Sequence, residues 1–390
     1  MTSPPDAPEG SVKRLIQILS VTNFVIGMGA FMVIGMLPPM AESLEMSTAG
    51  SGWIMTIYAI SYAIASPLLV SSTGGIGRRK VLFLGLAVFT LANLLAAIAP
   101  SGAVVLIARA FAAAGAGMVT PVAAAVVAGV VAPERRAKSL AAVFFGLTLA
   151  QVIGVPAGSY IAYSIGWRYA FILVTLLALP CLWLIWTRVP RGLRFQPVGL
   201  RDLSAVLADW RIMLAVLFTA TFLAAIYVPF TYIAPLMEAH MGFGRDGISS
   251  VLLTFGLAAV VGNLLGGWMS DRFGPTPTLM LLAITQVLLM PFLSFLPMAA
   301  WMVFALIFTW SIFGWSFTAP QQARVISLAP DRAPVVLSLN AAAIYVGAAV
   351  GASVGGAAIS QSGLLALGWV GGAMALVGVA HLLVSARISR

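Results

Sequence analysis

Apolar residues run almost unbroken for about 20 positions at a time along this chain, and charged residues gather in the gaps between the runs. As a helix, a run of that length crosses roughly 30 Å of hydrocarbon. Twelve such runs begin near Leu15, Ser51, Val81, Val104, Ser139 and Tyr169, then near Ile212, Ser249, Thr278, Trp301, Val335 and Leu364. The second six repeat the first at a constant offset of 197 residues. Pro38 pairs with Pro235, Met40 with Met237, Ile76-Gly77 with Phe273-Gly274, Ala132-Pro133-Glu134-Arg135 with Ala329-Pro330-Asp331-Arg332, and Gly154 and Gly158 with Gly351 and Gly355. That period is too long for a solenoid, so it predicts two fused copies of one bundle. The expected fold is all-α and membrane-integral, with twelve transmembrane helices in two pseudo-symmetric six-helix bundles. The division reads as a tail (1–14), a first bundle (15–187), a linker (188–211), a second bundle (212–386) and a short tail (387–390). Two such repeats can rock about a shared central site.

Composition supports lipid as the solvent, since 61% of residues are apolar and only 8% are charged. The leader Met1–Arg14, with Pro4, Pro5 and Pro8, reads as a cytoplasmic tail. The apolar run that follows it is too long for a typical signal peptide. A single cysteine, Cys181, rules out an intramolecular disulfide or a thiolate metal site, and no cofactor is expected. The net charge of +10 would suit nucleic acid, but its placement does not. With both termini inside, 18 of the 21 Lys and Arg fall in cytoplasmic segments, Arg168 and Arg245 fall outside, and Arg109 lies within the fourth run. That is the positive-inside bias of a multi-pass protein, and the host membrane it suggests is a bacterial cytoplasmic one. In the linker, Leu200, Leu203, Leu207 and Trp210 recur at helical spacing and predict a short helix on the inner surface. Many of the 38 glycines sit inside the runs, where small residues let helices approach closely. Pro156 and Pro320 are expected to bend their helices.

Several motifs, taken in order, resemble the major facilitator superfamily, and in particular its bacterial drug and sugar efflux branch of arabinose-efflux-permease-like, drug–proton antiporter type. Gly267-Trp268-Met269-Ser270-Asp271-Arg272-Phe273-Gly274 resembles the family's loop signature between the second and third helices of a half, and Gly77-Arg78-Arg79-Lys80 keeps its tail in the first half. Arg109 resembles the family's fourth-helix arginine. Gly154-Val155-Pro156-Ala157-Gly158 resembles the fifth-helix antiporter motif, followed by Gly166-Trp167-Arg168. Phe24 to Phe31 and Met36-Leu37-Pro38 also resemble that branch. The resemblance implies a conformational latch around Gly267, Asp271, Arg272 and Gly274, with Gly77 and Arg78 as its first-half remnant. The chain departs from the pattern at Gly74 and Gly75, where Asp and Arg are usual, and at Ala30, where an acidic residue is common.

All eleven carboxylates map to tails or loops, so the usual buried proton carrier is missing. His240 and His381 remain as groups that can titrate near neutral pH. A guanidinium inside a span is costly and has work to do. Arg109 either bonds carbonyls and Gln151 as a structural or gating element, or contacts an anionic or carbonyl-bearing substrate with its fork of donors. The family fold would place Asn23, Phe31, Tyr227, Trp310 and Trp315 along a cavity, with Met28, Met32, Met118, Thr120, Thr221, Phe230 and Ser316. Tyr58, Tyr62, Gln151, Asn340 and Tyr345 would stand on flanking helices. Any of these aromatic and methionine side chains can equally be packing. The function expected is export of a small organic compound (drug, sugar or related metabolite) by alternating access, coupled to protons. An uptake carrier or uncoupled facilitator is the alternative. A P-loop is absent and acids, nucleophiles and metal ligands do not cluster, so an enzyme is not expected. One chain holds both halves, so a monomer is the default.

Overall fold

The computed structural model of the chain describes residues 9–73, 75–131, 133–191 and 200–388. Gly74, most of the N-terminal tail, the end of the C-terminal tail and linker residues 192–199 lie outside the described residues. Among the described residues there are only helices, twelve of them long and apolar enough to cross a membrane. The first six are α1 (Val12–Gly35), α2 (Thr48–Val70), α3 (Arg78–Ala97), α4 (Gly102–Val127), α5 (Ser139–Ser164) and α6 (Trp167–Arg188). The second six are α7 (Trp210–Met241), α8 (Arg245–Phe273), α9 (Pro275–Phe295), α10 (Ala300–Leu328), α11 (Val335–Ser362) and α12 (Ala366–Ile388). Each begins within a few residues of an expected run. Helices are the natural choice in lipid, because each satisfies its own backbone hydrogen bonds. The chain alternates direction, so the described start, the described end and the even-numbered connections share one end of the molecule. We call this the terminal end and its opposite the far end.

The repeat is visible in backbone conformation. Gly166 and Gly363, one period apart, both take positive φ (114° and 79°) in the far-end turns that lead into α6 and α12. Only glycine adopts such angles without strain. Proline interrupts two spans. A wide π-type turn at Ala150–Gly154 precedes Pro156 in α5 and absorbs the hydrogen bond that the proline cannot donate. In α10 the helix breaks between Trp315 and Thr318, just ahead of Pro320.

Glycine faces form the seams within each half. A Cβ on Gly154 would come within 2.5 Å of Met28, and one on Gly158 within 2.6 Å of Met32, so α1 and α5 touch nearly backbone to backbone. Gly347, Gly351 and Gly355 do the same for α11 against α7, at 2.6, 2.5 and 2.7 Å from the carbonyls of Ala220, Ala224 and Val228. In the loop signature the close-contact glycine is Gly266, which lies against the Ser316 carbonyl at the break in α10. Gly267, the first residue of that signature, has open space where its Cβ would be. The lone cysteine, Cys181, is buried in α6.

The linker helix forms over Leu200–Ala208, with Val206 buried alongside Ile212, Val325 and Val335. Leu207 and Trp210 of its apolar stripe are exposed, as suits a helix lying against lipid. One further expectation needs correction. Arg324, counted above with the cytoplasmic charges, lies inside α10 and is only 4% exposed. The tenth span continues through the broken turn at Ser316 and Phe317 for three more turns, which carries this arginine into the bundle.

Candidate functional site

Exposure along the central helices locates a cleft. On α1, Arg14, Gln17 and Val21 are exposed toward the terminal end, whereas Met28 and Met32, further along the same helical face, are buried. On α7, Leu217 is exposed and Thr221 half-buried, while every residue from Phe222 to Met237 is buried. The halves therefore part at the terminal end and meet from midspan to the far end.

Side chains from both halves make that closure. Tyr62 of α2 stacks on Tyr345 of α11 with ring centroids 3.7 Å apart, and Tyr58 lies 6.5 Å from each. Gly256 of α8 packs on Val152 and the Gln151 carbonyl of α5. Beyond them, the Tyr232 ring of α7 fills the space left by the missing side chain of Gly52, and its hydroxyl donates to the Ala352 carbonyl at 2.8 Å. At the rim, Tyr163 donates to Glu238 at 3.0 Å. Offset aromatic stacking of this kind adds about 0.5–1.5 kcal/mol per pair beyond burial.

Arg109 lies behind this closure, 1% exposed, and holds α1, α2 and α4 together. Its Nη1 donates to the Gly29 carbonyl, Nη2 to Ala30 at 2.8 Å and Nε to Ile54 at 3.4 Å, while the guanidinium sits 4.2 Å from the Tyr58 ring centre. Local backbone geometry explains the choice of acceptors. The α-helical pattern of α1 ends at Phe31 and a 3-10 turn occupies Met32–Gly35. The carbonyls of Gly29 and Ala30 fall in the last α-helical turn, where the regular backbone ladder changes. The expected bond to Gln151 is not formed; all three guanidinium nitrogens go to carbonyls instead.

The other expected residues fall into separate groups. Asn23 donates to the Val143 carbonyl at 3.2 Å, tying α1 to α5, and Phe31 is buried in the same half. Tyr227 and Trp310 join one aromatic cluster through Phe230 and Phe255, with Phe230 stacked on Phe255 at 4.1 Å and Trp310 edge-on to Phe255 at 5.3 Å. Asn340 accepts from Thr219 beside Gln321, which bonds the Ala215 carbonyl at 2.8 Å. Trp315 is buried near the break in α10. Several buried polar atoms have no protein partner: the Tyr58 hydroxyl, the Trp310 and Trp315 indole N–H groups, and both amide atoms of Gln286. Asp271 and Arg272 are exposed at the terminal end of α8, Gly274 follows with φ 86°, and Arg78 is buried at the start of α3. Sequence reasoning missed Tyr232 with Gly52, Tyr163 with Glu238, and the joining of His381 and Thr221, each named above for itself, to Arg324 and Ser385 in one polar cluster. The first two join positions far apart in the chain and leave no local signal; Arg324 was visible as a charge eight residues past an apolar run.

Comparisons with known proteins agree with this architecture. The profile of the Major Facilitator Superfamily matches residues 19–334 and, again, 231–389. The MFS-type transporter YbcL of Bacillus subtilis is 30% identical over 91% of both chains. The inner membrane transport protein YdhP of Escherichia coli is 29% identical over 88% of each, and a "probable sugar efflux transporter" of Helicobacter pylori 28% over 92% of each. Among solved structures, a D-xylose–proton symporter superposes with a TM-score of 0.76 over 94% of this chain and 96% of its own, at 15% identity. A bacterial homologue of the lysosomal transporter Spinster, described as inward-facing and unoccupied, gives 0.74 over 98% and 97%, at 17%. The twelve spans, the pseudo-symmetric halves and these matches together make the chain a member of the major facilitator superfamily, a multi-pass membrane transporter of small solutes rather than an enzyme.

Proposed function

We propose that this transporter exports a small organic compound of the sugar or drug class, by alternating access and at the expense of a proton gradient, with both termini in the cytoplasm. The observation that carries the reading is the cleft, open at the terminal end and sealed at the far end by tyrosines from both halves. The charge distribution supports the orientation, since the described Lys and Arg at the far end are Arg168 and Arg245, whereas Arg78, Arg79, Lys80, Arg188 and Arg272 are at the terminal end. Unpartnered Tyr58, Trp310 and Trp315 donors among aromatic surfaces suit a hydroxyl- or carbonyl-bearing organic molecule better than an inorganic ion. The sugar-efflux relative points the same way. In this reading residues 15–187 and 212–386 move as bundles joined by 188–211, the monomer is the working unit, and drug resistance is one phenotype it can confer.

The test is an export and resistance panel of drugs, sugars and organic acids in an efflux-deficient bacterium, with and without a protonophore. Protonophore-sensitive export of one compound class is expected. Equal, protonophore-insensitive movement in both directions would replace an antiporter by a facilitator.

The loop signature carries a smaller prediction. Asp271 lies in the last turn of α8, so its own helix dipole does not favour it. In the latch reading it faces the positive N-terminal end of another helix in the terminal-closed state, a contact worth about 0.3–1 kcal/mol that Asp271→Asn removes. If these residues latch the state closed at the terminal end, the variant shifts the population toward the terminal-open state by about two- to fivefold. Spin-label distances between the halves at that end report the shift, and an unchanged distribution would remove Asp271 from the latch.

A further inference from the structure

The second half contains a polar cluster that the first half does without. His381 of α12 sits between helices, its Nε2 2.9 Å from the Leu214 carbonyl and its Nδ1 2.8 Å from the Thr221 hydroxyl, both on α7. The same hydroxyl lies 3.2 Å from the Leu217 carbonyl. One turn along α12, Ser385 accepts from Arg324 Nη2 at 2.6 Å, and Arg324 Nη1 has no partner. At the offset of 197 residues the first half has Phe24 for Thr221, Leu184 for His381 and Val127 for Arg324. The fold is thus satisfied by apolar side chains at these places, and the polar set answers some other need.

The geometry points to His381, with Thr221, as the site that takes up and releases the transported proton; this rests on the proton coupling proposed above. Nε2 faces a carbonyl and carries hydrogen in both ring states. When the ring is neutral, Nδ1 accepts the hydrogen of the Thr221 hydroxyl. A proton arriving from water binds Nδ1, which then donates to Thr221 Oγ, and the hydroxyl hydrogen turns to the Leu217 carbonyl. Release reverses these two movements and returns the proton to water. Both ring nitrogens and the Thr221 hydroxyl keep a partner in both states, so gaining the proton orphans none of them. His381 and Thr221 are half-buried, and Thr221 is the last residue of α7 before its fully buried stretch, at the floor of the cleft.

The surroundings tie the site to conformation. Of the helices packed on α12, α9 contributes no titratable side chain and α11 contributes Tyr345, at the seam with α2. The α7 charges nearest in sequence are Asp209 and Arg211 at its terminal start, where Asp209 caps the backbone N–H groups of Arg211 and Ile212. On α12 itself, Arg387 is a turn and a half further on. Arg324 of α10 is held to Ser385, one turn along α12 from the ring, so movement of α10 against α12 changes the field at the imidazole. The carboxylates inside the bounds of the described spans, Glu238, Asp246 and Asp271, are all exposed in the end turns of α7 and α8, so no buried carboxylate competes for the role among the described residues.

The chain has two histidines, which makes the test direct. The full-length His240→Gln variant, labelled with 13C,15N-histidine in lipid nanodiscs, leaves one imidazole to follow by NMR between pH 5 and 9. A single titration is expected, and Thr221→Val should move its midpoint while Thr221→Ser should not. A ring locked in one protonation state across that range would overturn the assignment. In proteoliposomes with an imposed pH gradient and the compound identified by the export panel, His381→Gln should lose uphill export at least tenfold and keep exchange down the compound's own gradient. Uphill export at the native rate in His381→Gln, or in Thr221→Val if the first variant does not fold, would also overturn it. A native protein indifferent to protonophore would instead defeat the proton-coupling reading, and the NMR titration would still decide whether His381 binds a proton.

Discussion

Arg109→Ala should abolish transport while leaving membrane insertion intact. The guanidinium is fully buried and bonds three carbonyls on two helices, two of them at the last α-helical turn of α1 before its change of register. Removing it orphans buried acceptors at about 1–3 kcal/mol each and leaves the Tyr58 face without its cation. The apolar runs that drive insertion are untouched. Arg109→Lys should not rescue it, because one compact ammonium cannot span acceptors on α1 and α2 as a planar fork does. Two measurements check this: export by each variant, expected below one-hundredth of native, and the midpoint of thermal unfolding of the purified protein, expected to fall. Normal transport by Arg109→Ala would show that the clamp is dispensable.

The second large effect is expected at the far-end seal. Gly52 has no side chain, and the Tyr232 ring occupies the position where one would be. Gly52→Val cannot keep that contact. Overpacking of this kind costs typically 1–3 kcal/mol, and here the cost falls on the far-closed state alone. At about 1.4 kcal/mol per tenfold, the population open at the far end should rise roughly five- to hundredfold. Tyr232→Phe, which forfeits only the hydroxyl bond to Ala352, should move it less. Spin labels on the far-end turns of the two halves, after α1 and after α11, would read the change as a longer distance component. An unaltered distribution would mean that this contact does not hold the end shut.

The spans were legible because lipid imposes length and apolarity on every one of them, a signal that survives in a single sequence. The repeat was legible because glycine and proline positions recur, and Gly166 and Gly363 keep even their backbone angles. Arg109 stood out for its cost, but its partners did not, since carbonyls carry no sequence signature and a side-chain partner such as Gln151 is the natural guess. Arg324 was misplaced because polar residues around it, Gln321 and Gln322, look like the end of a span when in fact α10 resumes after a break. The closure between halves was illegible altogether: Tyr232 meets Gly52, and Tyr62 meets Tyr345, across separations that no local pattern encodes.

Cys181, packed in α6 and 2% exposed, leaves the native chain without a thiol that water-soluble maleimides can reach. A cysteine placed at Val21 or Leu217, on the open walls of the cleft, becomes the one reactive sulfur in an otherwise native protein. Its alkylation rate, followed from either face of a sealed vesicle, is a clock for how often each face meets water.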